Sequence, residues 1–152
     1  MLVQLLAVGK LRPAYRAMCD EYLGRLRRYG PMVEREVRAA ERAASPALRR
    51  REEAARLVGA VPERALIVAL DRGGSAWTSE ELARRLARWR EGGVPLALMI
   101  GGAFGLDPEL LGGAAVRWSL GPLTLPHELA RVVVVEQMYR AWTILRGEPY
   151  HK

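Results

Sequence analysis

Five stretches of strand length, LVQLLAV (2–8), MVEREV (32–37), ALIVAL (65–70), PLALMI (95–100) and VRWSL (116–120), alternate with longer segments whose apolar residues recur at helical spacing. Alternation of this kind specifies an α/β fold, a mainly parallel sheet with helices on both faces. The first helix sets Tyr15, Met18, Cys19, Tyr22, Leu23 and Leu26 on one face, with Pro13 in its first turn and Gly30 beyond its end. Ser45-Pro46 opens the second helix as cap and first residue. Thr78-Ser79-Glu80-Glu81 fits a capping box for the third, which Gly92-Gly93 stops, and Asp107-Pro108 begins a short fourth. The fifth helix, 126–146, is the longest; Val132, Val135, Met138, Tyr139, Trp142 and Leu145 keep its spacing, and Gly147 ends it. Arg72-Gly73-Gly74 reads as a turn after the third strand. A chain of 152 residues makes a single domain, 1–152, large enough to bury its own core.

Charge narrows the partners. Lysine and arginine number 24 against 17 acids, a net +7, which favours a polyanion such as nucleic acid. Residues 1–56 hold 13 of the basic and 7 of the acidic side chains, so the anion-facing surface belongs to the N-terminal half. Twenty-two of the cations are arginine, suited to phosphate forks, although a GC-rich genome gives the same bias. Cys19 stands alone within an apolar stripe, so the chain has no internal disulfide and no cysteine-based zinc site; a buried structural thiol is expected. The N-terminus lacks the features of a signal peptide and no apolar run approaches a membrane span, so a cytoplasmic protein with no membrane partner is expected.

In open α/β sheets ligands bind outside the carboxyl ends of the strands. The loops that follow the last three strand runs, Asp71-Arg72-Gly73-Gly74, Gly101-Gly102-Ala103-Phe104-Gly105 and Gly121-Pro122-Leu123-Thr124, therefore gather at one edge. Glycine-thinned backbone with apolar side chains between suits a flat, mostly uncharged group such as adenine. GGAFG is neither G-x-G-x-x-G nor a P-loop, which disfavours a diphosphate-bearing cofactor. Two histidines and no acidic cluster give no spacing for a metal, and no G-x-S-x-G elbow is present. His127 begins the last helix, where capping or packing suits it. His151 lies just past that helix beside Tyr150, with Pro149 stiffening the approach, and suits a base or hydrogen-bond partner near neutral pH. Tyr139-Arg140-Ala141-Trp142 reads equally as core aromatics with a solvated arginine or as the seat of a functional arginine.

LDRGGSAWTSEELA (70–83), IGGAFGL (100–106), WSLGPLTLPHELARVVVVEQMYRAW (118–142) and GEPYHK (147–152), with AVGKLRPAY near the start, closely resemble the RlmH family, SPOUT-class methyltransferases of bacterial large-subunit ribosomal RNA. The resemblance runs the whole length. It implies a SPOUT α/β fold with a deep C-terminal trefoil knot, a homodimer, and S-adenosylmethionine as cofactor; threaded chains are so rare that pattern alone would not suggest one. It also implies methylation of N3 of a pseudouridine in a 23S rRNA hairpin, on the assembled 70S ribosome. By motif, the cofactor contacts fall on Leu70, Gly101 and the loop Leu120, Gly121, Pro122, Leu123, Thr124 and Leu125. Gly121 stands where the family commonly has serine, which leaves backbone contacts only. PYHK then ends the catalytic region, placed against the cofactor pocket and completed by the partner subunit. Because N3 must lose a proton, His151 is the candidate acceptor or orienter, with Arg140 steadying the developing anion and Tyr150 positioning the base. Arg49, Arg50, Arg51 and Lys152 are the candidate RNA contacts, and the helix 126–146 is the candidate dimer contact. Three other readings stand beside this one. They are a SPOUT methyltransferase of transfer RNA or of another ribosomal nucleotide, a ribosome-binding factor without chemistry, and a flavodoxin-type nucleotide module.

Overall fold

A computed structural model describes all 152 residues. Strands β1 (Val3–Val8), β2 (Met32–Val37), β3 (Leu66–Ala76), β4 (Leu96–Ile100) and β5 (Val116–Ser119) form one sheet in the order β2-β1-β4-β3-β5, with every neighbouring pair parallel. Helices α1 (Pro13–Leu26), α2 (Pro46–Val58), α3 (Ser79–Glu91), α4 (Pro108–Gly113) and α5 (His127–Arg146) complete the alternation. The central strands show why both faces are covered. Val3, Leu5 and Ala7 of β1, with Leu96, Leu98 and Ile100 of β4, join the core built by α1, α3 and α5; Leu6, Val8, Ala97 and Met99, one residue out of phase, join the core of α2 and α4. No helix is long and apolar enough to cross a membrane.

Local chemistry sets the helix ends. Ser45 Oγ accepts the Leu48 N–H at 3.1 Å, and Thr78 and Glu81 form a complete capping box. Asp107 caps α4 through the Glu109 N–H. At the end of α5, Gly147 takes φ +66°, with Gly147 N–H bonded to the Ile144 carbonyl and Glu148 N–H to that of Thr143, the double closure of a Schellman motif.

One expectation fails. Residues 72–74 are not a turn that ends β3; they belong to a bulge inside it. β3 pairs with β5 up to Leu70 opposite Trp118, loops out, then pairs again through Ser75 and Ala76 opposite Trp118 and Ser119. Gly74 makes this possible, because a Cβ there would stand 2.5 Å from the Arg117 carbonyl oxygen.

Candidate active site

The carboxyl ends of β3, β4 and β5 open onto a cavity of about 640 Å³, within the usual range for small-molecule sites. Leu70, Asp71 and Arg72 line it from β3, Ile100 from the end of β4, Gly101 to Ala103 and Gly105 from the loop after it, and Trp118, Leu120 and Gly121 from β5 and beyond. Leu123, Thr124 and Leu125 come from the loop before α5, and Pro126, His127 and Ala130 from the start of α5. Of the residues assigned to cofactor contact by resemblance, only Pro122 is not on the wall.

Two devices hold these loops. The glycine loop closes on itself through a Gly102–Gly105 bridge, and a Cβ on Gly101 would meet the Gly105 carbonyl carbon at 2.5 Å. Ser119 Oγ accepts the Gly121 N–H at 3.1 Å, and Gly121 takes φ +120° in open space. That conformation strains any residue with a side chain. Under the glycine loop lies Glu53, 2% exposed, with both carboxylate oxygens 3.3 Å from where a Gly102 Cβ would be.

The wall is mostly apolar. Its charged members, Asp71 and Arg72, come from a segment that the sequence placed at this edge, although neither side chain was assigned a role there. Asp71 accepts from Arg117 Nε at 3.0 Å, while Arg72 donates to Thr124 Oγ1 across the cavity mouth.

His151, Arg140 and Tyr150 do come together, but elsewhere. Arg140 Nη1 lies 3.3 Å from His151 Nδ1, and His151 Nε2 lies 2.9 Å from Glu80 Oε1 of α3. Arg140 also pairs with Glu136, which accepts the Tyr150 hydroxyl at 3.0 Å. Burial, then the Tyr22 hydroxyl and the Glu136 carboxylate, push the Tyr150 phenol well above its ordinary value, so it remains a donor. The His151 contact holds the Glu80 carboxyl below its usual range. From His127 at the cavity to Arg140 is thirteen residues of one helix, about 20 Å at 1.5 Å per residue. Within a single chain, none of Pro149, Tyr150, His151 and Lys152 lines the cavity.

The arginine run also divides. Arg49 turns inward, with Nε 3.6 Å from Glu53 and its guanidinium over the Phe104 ring at 5.3 Å. Arg50 is half-buried, and Arg51 and Lys152 are exposed. Arg49 thus has contacts to Glu53 and to Phe104 of the glycine loop.

Cys19, on the inner face of α1, is fully buried, its thiol pushed up to about 12 by burial first and by the Glu34 charge second. Glu34 belongs to a network that sequence reasoning missed. Arg131 of α5, 1% exposed, bonds Glu34 and Glu36 of β2 and the carbonyl oxygens of Val8 and Gly9. No periodicity distinguishes that arginine from a solvated one.

The family model described as "Predicted SPOUT methyltransferase" matches residues 1–151. Among curated relatives, Ribosomal RNA large subunit methyltransferase H of Rubrobacter xylanophilus is 51% identical, covering 97% of this chain and 96% of that protein. The protein of the same name from Thioalkalivibrio sulfidiphilus is 43% identical over 100% of this chain and 99% of its own length. A probable methylase family protein from Haemophilus influenzae Rd KW20 shares the fold at TM-score 0.58 and 10% identity, over 99% of this chain and 70% of that one. A structure described for 2-OH methylation of C/U34 on tRNA aligns at TM-score 0.55 and 19% identity, over 93% and 91%. With a family match across nearly its whole length and relatives above 40% identity, the chain belongs to the SPOUT methyltransferases.

Proposed function

We propose that this protein transfers a methyl group from S-adenosylmethionine to N3 of a pseudouridine in 23S rRNA, on the assembled 70S ribosome. The observation that carries the reading is full-length similarity to proteins named Ribosomal RNA large subunit methyltransferase H. The cavity supports the cofactor assignment: glycine loops present backbone donors and acceptors, and Leu70, Ile100, Leu120 and Leu125 offer apolar surface to an adenine. Gly101 and residues 120–125 hold the nucleoside in this reading. The same family reading places the C-terminal segments in a trefoil knot and the protein in the cytoplasm.

The separation of the cavity from the tail cluster supports a homodimer in which each tail completes the other subunit's site. The largely buried face of α5, where Tyr22 and Tyr29 pack against Tyr139, borders the surface proposed for that contact. The bound cofactor supplies an electrophilic sulfonium methyl. Around it, this chain's residues position the base and move one proton. The His151 ring is oriented by Glu80 on Nε2 and by Arg140 on Nδ1. When Arg140 swings to the uracil oxygen that gains charge, His151 Nδ1 is freed to take the N3 proton. With its proton on His151 and the neighbouring oxygen held by Arg140, N3 would be left as the nucleophile facing the methyl group that the bound cofactor would supply. Holding the reacting atoms about 3–3.5 Å apart contributes several kcal/mol. Arg50, Arg51 and Lys152 serve as phosphate contacts on the ribosome.

The test is transfer of labelled methyl to 70S ribosomes lacking the modification, with free 23S rRNA and transfer RNA in parallel and the product located by mass spectrometry. Label on pseudouridine N3 with 70S alone is expected. Label on transfer RNA instead would overturn the substrate but keep the cofactor. Cofactor binding with no label on any RNA would favour a binding factor.

A further inference from the structure

Resting on the reading of the cavity as the S-adenosylmethionine site, we propose that Arg72 binds the α-carboxylate of the cofactor and so fixes the direction of its amino-acid tail. The cavity wall is otherwise a poor host for that group. Asp71 and Arg72 are its only aspartate, glutamate, lysine or arginine, and Asp71 is already engaged by Arg117. Arg72 has no carboxylate partner anywhere in the chain; its side-chain contact is the Thr124 hydroxyl. A guanidinium carries five N–H donors in a planar fork. Thr124 uses one and steadies the plane, leaving others for a bidentate carboxylate.

The cofactor's charges make the match specific. Adenine and ribose are uncharged and suit the glycine-lined interior. The sulfonium and the α-ammonium are cations, so the carboxylate is the one group that an unpaired arginine attracts. Arg72 leaves β3 in the bulge and Thr124 lies in the loop before α5, so their contact spans the mouth between two walls. A carboxylate anchored there holds the tail at the rim while the nucleoside lies deeper, and the sulfur between them is limited to a short arc. Arg72 is exposed, so its ion pair is worth a few-fold in affinity rather than orders of magnitude.

The experiment is calorimetric titration of wild type, Arg72→Gln and Arg72→Lys with four ligands. S-adenosylmethionine and S-adenosylhomocysteine carry the carboxylate; decarboxylated S-adenosylmethionine and 5′-methylthioadenosine do not. Arg72→Gln is expected to weaken the first two about two- to fivefold, the scale of an exposed charge-assisted contact. It should bind the other two no more weakly than wild type, and Arg72→Lys should recover part of the loss. Equal weakening of all four would overturn the proposal, making Arg72 a brace for the Thr124 loop. Unchanged affinity for all four, with a raised KM for ribosomes, would also overturn it and assign the guanidinium to an RNA phosphate. If wild type bound none of the four, the cofactor reading of the cavity would itself fall.

Discussion

At the scale of single residues, the tail chemistry is the sharpest claim. His151 has both ring nitrogens occupied, by Glu80 and by Arg140, so it is held in one orientation before any substrate arrives. His151→Ala is expected to lower kcat about 10²- to 10⁴-fold, the usual worth of a placed proton acceptor, and to leave cofactor affinity unchanged in titration. Unchanged turnover at saturating ribosomes would remove His151 from the mechanism. Cys19 makes the opposite case, a reactive group kept inert. A fully buried thiol pushed up to about 12 has almost no thiolate at neutral pH. Ellman's reagent should therefore find no thiol in the native protein and one per chain after denaturation.

At the scale of elements, the sheet and helices were legible because strand runs and capping residues are local signals. The capping box at Thr78 and the glycine stop at Gly147 sit where the spacing placed them. The β3 bulge was not legible. Arg72-Gly73-Gly74 has the composition of a turn, and only the proximity of Arg117 on β5 shows that Gly74 serves a close backbone approach. The cavity wall was legible for a similar local reason, since each strand of the site ends in glycine or a glycine-containing loop. The position of the tail was not, because it depends on the length and direction of α5. The buried network around Arg131 escaped as well, yet it ties α5 to β1 and β2. Arg131→Met, which leaves Glu34 and Glu36 with fewer partners in a buried setting, is expected to cost about 3–5 kcal/mol, read from denaturant unfolding. A loss no larger than that of an exposed arginine would show that the network is not structural.

At the scale of the whole molecule, charge and symmetry carry the function. The net +7 and the N-terminal bias in arginine predict ribosome binding that weakens steeply with salt. Arg50→Glu with Arg51→Glu should raise the KM for ribosomes far more than it weakens cofactor binding; equal effects would count against docking there. Arg49 is left out of that pair because its contacts with Glu53 and Phe104 would confound docking with loop stability. Symmetry enters through the proposed dimer: the cavity takes its α5 residues from the helix start, the His151 cluster packs on Glu136 and Arg140 further along, and in that proposal each working site takes one of each from two copies. The most direct measurement is subunit complementation. Ala130→Trp, which fills the cavity from α5, and His151→Ala are each made inactive, then co-expressed and assayed for methyl transfer. If the site is shared, random pairing gives half mixed dimers with one intact site in two, so about a quarter of wild-type activity should return. Activity no higher than that of the two single variants would contradict a site shared between subunits.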